Sequence, residues 1–401
     1  FFMFSSTKKL DPNLKFLLAS SSMKEYRILI QYRNFPDSIS KKIHSYRGNI
    51  IRKIESCNII CAQLRAKSIH LLLEYPEVKY ICLDQYFFLC GMSIPTANKV
   101  RISHKLSLYG RGIGVGIIDS GVYPHRDLTY PFNRIITFVD LINELPYPYD
   151  DNGHGTCTCG IISGNGSSSN KIYTGVAPES TIHCFKAFDK LGKGYASDVL
   201  FALEELINIS DQYNIKVICL PFESLNYNKF IFILFDLLLK TARLKSIICI
   251  VPSGSNKNID DSITGIALSN NCITISGIDT TSSNVKSYDY SSCGALKKDT
   301  KPNFCAACVD VVSLNSNTSY ISYKNDSKIH APKLDNSYKS FSGTSISAAY
   351  IAGICTILFE YNPNFTFDDI LSLLKVASIS LALPKNQQGE GKVDINKILK
   401  Q

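Results

Sequence analysis

Along residues 25–84 the rhythm of apolar positions switches repeatedly. EYRILIQY, the pair NIIRKIES and NIICAQL, and VKYICLD carry the closely spaced β-branched residues of strands. DSISKKIHSY and SIHLLLEY, the latter closed by Pro76, carry helical spacing instead. Strand, helix, two strands, helix, strand is the order of a small ferredoxin-like α+β module. Residues 1–24 precede it as an extension. Residues 85–111, polar and without strong periodicity, read as a linker open to cutting.

From residue 112 to 401 the pattern changes. GVGIIDSG, TIHCFKAF, IKVICLPF, SIICIVPSG and CITISGID are nearly unbroken apolar runs, and ASDVLFALEELINIS among them has helical spacing. Strands apolar on both faces and alternating with helices predict an α/β fold, a doubly wound and mainly parallel sheet. Residues 294–340, rich in Ser, Asn and Lys, read as a surface excursion. The longest apolar run, Phe230 to Leu239, is interrupted by Asp236 and too short for a bilayer, so it predicts a buried helix and no transmembrane segment.

Composition sharpens this division. The net charge of +9 is concentrated at the front, where residues 1–100 hold 15 Lys/Arg against 7 Asp/Glu. The positives are scattered and no aromatic RNA signature accompanies them, so they read as a solvated face and nucleic acid is excluded as a partner. Fourteen cysteines suggest disulfides and an oxidising compartment. Cys305 and Cys308 have the spacing of half a zinc site, but no second pair or His follows at the required distance. Five Asn-x-Ser/Thr sequons, at Asn165, Asn208, Asn317, Asn325 and Asn364, point to the secretory pathway as well.

In open α/β sheets, reactive groups collect at the carboxyl ends of strands. Asp119 ends the strand in GIIDSG, where an Asp can equally form a turn. His154 follows in DDNGHGTCTCGIISG, flanked by glycines that permit close backbone approach. Ser345, in SFSGTSISAAYIAG, stands behind a glycine at the mouth of an apolar helix. A hydroxyl there can cap the helix, or it can be a nucleophile beside N–H groups able to stabilise an oxyanion.

Taken together these stretches resemble one family. VGIIDSGVYPHRDL, NGHGT, GVAPES, SFSGTSISAAYIAG, YNPNFT and GEGKVDI occur in the order found in subtilisin-like serine proteases, the subtilases, and cover about residues 100–398. The first segment, including EYPEVKYICLD, is similar to their inhibitor-like propeptide. The resemblance implies a secreted, monomeric serine endopeptidase acting on proteins or peptides. Its precursor would be blocked by its own propeptide until cut near residues 85–100. Ser345 would be the nucleophile, His154 the general base and Asp119 the group that orients it. The main-chain N–H of Ser345 would be one oxyanion donor. No organic cofactor is implied, and Asp127 in HRDL is at a position that can serve a structural Ca2+ ion.

The chain departs from the family at the cleft. Where relatives place an oxyanion Asn, VPSGSNKN has Ser255, with Asn256 one residue late. Either Asn256 turns inward, or Ser255 donates, or the donor is missing. Leu220, Pro221 and Phe222, with Ser253 and Gly254, would line the substrate site. There Pro221-Phe222-Glu223 replaces Ser-Leu-Gly, and Pro221 has no N–H to pair with a peptide. These changes leave a second reading open, a weak or inactive pseudoprotease that serves as a binding module with its propeptide retained. Cys157 and Cys159, near His154, read as a redox-sensitive pair or as small hydrophobes.

Overall fold

The computed structural model describes residues 9–19, 24–89, 107–224, 227–282, 284–295 and 301–397. Two compact units emerge. One gathers the chain up to Tyr86 with Tyr195–Glu204 and Lys229–Leu238, and the other holds the remainder.

The first unit is built on a four-stranded antiparallel sheet in the order Asn49–Ile54, Ile59–Leu64, Tyr26–Tyr32, Val78–Leu83. Helices Pro36–Ser45 and Ala66–Leu73 complete the ferredoxin-like arrangement. Tyr26, Ile28 and Ile30 share a core with Ile39, Ile43, Ile69 and Leu72. Helix Pro12–Ala19 adds Leu14 and Leu18 to that core, so the preceding extension packs as part of the module. The alternate positions Leu29 and Cys61 are buried too. Segments from later in the chain lie within this unit: Tyr80 stacks on Phe230 at 4.7 Å, and Glu204 accepts the Ser56 N–H at 2.7 Å. Burial on two faces explains why these strands are apolar without alternation.

A buried ionic cluster holds the unit together. The Arg27 guanidinium reaches Asp84 at 2.7 Å, Asp198 at 2.9 Å and the Ser197 hydroxyl at 2.6 Å, and Asp84 also accepts the Ser197 N–H at 3.0 Å. Arg52 stands 3.5 Å from the second Asp198 oxygen. Burial raises the Asp198 carboxyl from 3.8 to about 6, with Arg27 and Arg52 opposing and Asp84 adding to the shift. Between those two values the native state holds a proton that the unfolded state has released. Stability from this group is therefore greatest below pH 4 and falls as pH climbs through about 6. We expect wild type to lose on the order of 1–3 kcal/mol over this window relative to Asp198→Asn, measured as the pH dependence of unfolding of the full chain. Parallel pH profiles for the two proteins would contradict this.

The second unit carries a ten-stranded sheet among the described residues. Its path runs Ser378–Ile379, Lys392–Val393, Phe304–Ala307, Ile273–Asp279, Ile248–Pro252, Ile215–Cys219, Gly114–Asp119, Thr181–Lys186, Ile135–Asp140, with Lys286–Ser287 beside Ile273–Asp279. From Phe304–Ala307 to Ile135–Asp140 the pairs are parallel. Val115 and Ile117 join the core formed by helices His154–Ser163 and Thr344–Tyr361, while Gly116 on the opposite face lies against Leu206. The strand Gly114–Asp119 is thus sandwiched, as its unbroken apolar run requires. Strands following it in the chain pair on either side of it, so the order reverses there, and crevices open at the carboxyl end of such a strand.

Three expectations need revision. Residues 294–340 are not all surface excursion, because Phe304–Ala307 is a buried sheet strand and Val311–Leu314 pairs with Tyr338–Phe341. The run at Phe230–Leu239 does form a helix, Lys229–Leu244, but Ile233 and Leu237 remain exposed on one flank. The disulfides suggested by composition do not form among the described residues. All thirteen described cysteines are buried free thiols, set on core strands and helices where they pack as small apolar groups. The apolar helix Thr344–Tyr361 is long enough to cross a membrane, yet it is mostly buried inside the protein. Of the predicted linker, Tyr86–Leu89 forms a strand antiparallel to Phe222–Glu223. Residues 90–106, including most of the expected cutting region, lie outside the described residues.

Candidate active site

Asp119, His154 and Ser345 converge at the reversal point of the sheet. Asp119 is the last residue of its strand, His154 the first of its helix, and Ser345 the second of its helix. All three are buried. His154 Nδ1 lies 2.8 and 2.9 Å from the two Asp119 oxygens, and His154 Nε2 lies 3.0 Å from Ser345 Oγ. Thr158 Oγ1 donates to Asp119 at 3.0 Å, and the Ser120 N–H donates at 2.6 Å. These bonds hold the carboxylate beneath the imidazole.

Backbone crowding explains the glycines around His154. A Cβ on Gly155 would stand 2.0 Å from the Gly121 carbonyl oxygen, so only glycine lets this helix start so close to the turn after Asp119. Asp150 fixes the same helix end. Its carboxylate accepts from the N–H of Gly153 at 2.8 Å and of Thr156 at 2.8 Å, and from Ser120 Oγ at 2.9 Å. Below it, the fully buried Lys186 donates to the Ser120 carbonyl at 2.6 Å and to Asp151 at 2.6 Å. Sequence reasoning missed both residues. Asp150 had a signal, an Asx-type acceptor in the DDNGHGT motif; Lys186 had none.

At Ser345, the capping reading gives way. The residue preceding the helix is Gly343, with φ of 149°, and Thr344 Oγ1 donates across to the Gly254 carbonyl at 3.2 Å. Thr344 therefore ties the helix that carries Ser345 to the loop at 253–256. In that loop Ser255 donates its N–H to Glu223 at 2.9 Å and its hydroxyl to the same carboxylate. Asn256 directs its side-chain amide to the Ser262 carbonyl at 3.1 Å. Both oxyanion candidates are thus engaged with neighbouring protein groups.

The substrate candidates sit in adjacent segments. Leu220, Pro221 and Phe222 are buried, and Phe222 stacks on Phe188 at 5.2 Å and on Phe87 at 5.6 Å. Ser253 is buried, with its Oγ 3.1 Å from Ser291 Oγ, and Gly254 has a φ of 108°. Cys157 and Cys159 are buried thiols whose ionisation is pushed far up by burial, as small hydrophobes require.

Asp127 does not fit a calcium ion. One carboxylate oxygen accepts the Ser168 N–H at 2.8 Å and the other accepts the Tyr338 hydroxyl. The guanidinium of Arg134 donates to the main-chain carbonyls of Asp127, Ser163 and Pro178, so a buried cation already stands beside this carboxylate's backbone. Among the described residues, no cluster of three His, Cys, Asp or Glu could hold a metal.

Comparison with known proteins identifies the family. Residues 110–393 match the family model described as the subtilase family. The chain is a member of the subtilase family of serine endopeptidases. Serine protease AprX of Bacillus subtilis is 28% identical to this subtilase over 344 residues, covering 82% of this chain and 76% of that protein. A thermostable alkaline protease of Halalkalibacterium halodurans is 23% identical over 371 residues, covering 91% and 90%. Fervidolysin from Fervidobacterium pennivorans, a keratinolytic enzyme related to subtilisin, shares the fold at a TM-score of 0.72 and 19% identity, covering 94% of this chain. This subtilase spans only 61% of fervidolysin's length. The epidermin leader peptide processing serine protease of Staphylococcus aureus matches at a TM-score of 0.68 and 16% identity, covering 94% of this chain and 99% of that one.

Proposed function

We propose that this subtilase hydrolyses internal peptide bonds through Ser345, His154 and Asp119. The observation that carries the reading is the continuous relay from Ser345 Oγ to His154 Nε2 at 3.0 Å and from His154 Nδ1 to Asp119 at 2.8 Å. Ser345 Oγ attacks the scissile carbonyl carbon as its proton passes to His154 Nε2. The tetrahedral adduct collapses as that proton moves to the leaving amine, and an acyl-enzyme remains on Ser345. Water, deprotonated by the same imidazole, releases the acid product. Asp119 holds the tautomer with the proton on Nδ1 and stabilises the imidazolium that forms. The Ser345 N–H, at its helix start, faces the oxyanion. No organic cofactor enters any step.

The N-terminal module reads as an intramolecular inhibitor that is removed by a cut in residues 85–100. Supporting this, Phe88 and Leu89 pair antiparallel with Glu223 and Phe222, as an extended peptide added to a strand edge would. The five sequons support a route through the secretory pathway, and the enzyme is read as a monomer.

The test is expression of the full chain in an oxidising host, with labelling by a fluorophosphonate and peptide mapping of the adduct. Expected are a cut within residues 85–100 and a single adduct on Ser345. A folded chain that stays whole and unlabelled overturns the protease reading and leaves the pseudoprotease, a binding module with a retained N-terminal unit.

A further inference from the structure

Glu223 is the one strongly polar side chain in the segment that pairs with an extended peptide, and its surroundings are unusual. It replaces the glycine that the family resemblance expects. Its backbone pairs with Phe88 in an antiparallel register, while its carboxylate folds across to the loop at 253–256. There Oε2 accepts the Ser255 N–H at 2.9 Å, and Oε1 accepts the Ser255 hydroxyl. The carboxylate lies flat on Gly254: a Cβ at that position would stand 2.6 Å from Glu223 Oε2 and 2.9 Å from Ser292 Oγ. The Gly254 carbonyl in turn accepts from Thr344, the neighbour of Ser345. The acid therefore lies between segments 220–224 and 252–255, and the Gly254 carbonyl beside it is one hydrogen bond from the start of the helix that carries Ser345.

What this carboxylate lacks is a cation. No Lys, Arg or His forms an ion pair with it among the described residues, and the Ser255 groups that bond it are neutral. Burial raises its pKa, and only the Ser255 hydrogen bonds oppose that shift. A half-buried carboxylate held by two neutral donors gains most from a positively charged partner, because charge-assisted hydrogen bonds are roughly twice as strong as neutral ones. Glycine here would leave an apolar or open slot; glutamate makes it acidic.

We propose that Glu223 is a specificity-determining residue that receives a cationic side chain of the substrate on the non-prime side of the scissile bond, from the strand that takes the place of Phe88 and Leu89. This rests on the peptidase reading above. The carboxylate would accept a guanidinium or ammonium through its outward lone pairs while Ser255 fixes its orientation. A substrate carboxylate in the same slot would meet an uncompensated like charge and be rejected.

The experiment compares full-chain wild type, Glu223→Gln and Glu223→Gly on peptides identical except for Arg, Lys, norleucine or Glu at one of the three positions before the scissile bond, each position varied in turn, the preference being read at the position where it is largest. In wild type, kcat/KM for the Arg and Lys peptides should exceed that for norleucine by about tenfold or more, with the Glu peptide lowest. In both variants that ratio should fall to within about threefold of unity. Equal rates in wild type, or a preference that survives in both variants, overturns the assignment. If no peptide is cleaved, the peptidase reading fails by itself, and the slot is decided by binding. Fluorescence polarisation on the full-chain Ser345→Ala protein should then show the Arg peptide bound more tightly than its norleucine twin, and equal affinity overturns the proposal.

Discussion

Replacing Ser345 by Ala is expected to lower kcat for peptide hydrolysis by roughly a millionfold, the loss that removing the nucleophile or the base costs in subtilisin itself. That factor corresponds to about 8 kcal/mol of barrier. The size follows from cooperation: without Oγ, the imidazole held 2.8 Å from Asp119 has no proton to take, and the whole relay idles. For the same reason Ser345→Ala combined with His154→Ala should be no slower than either change alone, which steady-state kinetics on the three variants would read. Thermal stability should move little, since Ala at this position fits the helix and removes only one buried hydroxyl. A loss below about tenfold would remove Ser345 from the chemistry.

Much of this site was legible because its three residues sit in motifs whose local physics is distinctive. The glycines at 153 and 155 signalled a close backbone approach, and Gly155 does meet the Gly121 carbonyl. The nearly unbroken apolar runs around Asp119 foretold a strand covered on both faces. What escaped was direction. Ser255 and Asn256 could be placed in the loop that follows the strand Ile248–Pro252, but a sequence does not say which way a short polar side chain turns, and both turn to neighbouring protein groups. Composition misled in the case of the cysteines. Their number suggested cross-links, whereas strands such as Ile248–Pro252 and Ile215–Cys219 bury them singly next to Ile, where a thiol serves as a small hydrophobe. Phe304–Ala307 was overlooked as a strand because it is four residues long within a polar stretch, and its pairing is long-range.

Arg134 left no trace in sequence pattern, and removing it should strongly lower stability. Its guanidinium is buried against the carbonyls of Asp127, Ser163 and Pro178, and burial pushes its pKa down to about 10 despite the nearby Asp127 and Glu179, so it stays charged at neutral pH. Arg134→Met would leave three carbonyl oxygens without their donor in a water-poor site, at a cost of about 3–5 kcal/mol. The melting temperature should fall on the order of 5–10 °C. Arg134→Lys should recover only part of this, because an ammonium lacks the planar fork that reaches two directions at once. Calcium discriminates between two accounts of the loss. Because both Asp127 oxygens are satisfied by Ser168 and Tyr338, millimolar calcium should restore none of the stability of Arg134→Met. Restoration by calcium, read by thermal unfolding with and without a chelator, would instead return Asp127 to the role of a metal ligand.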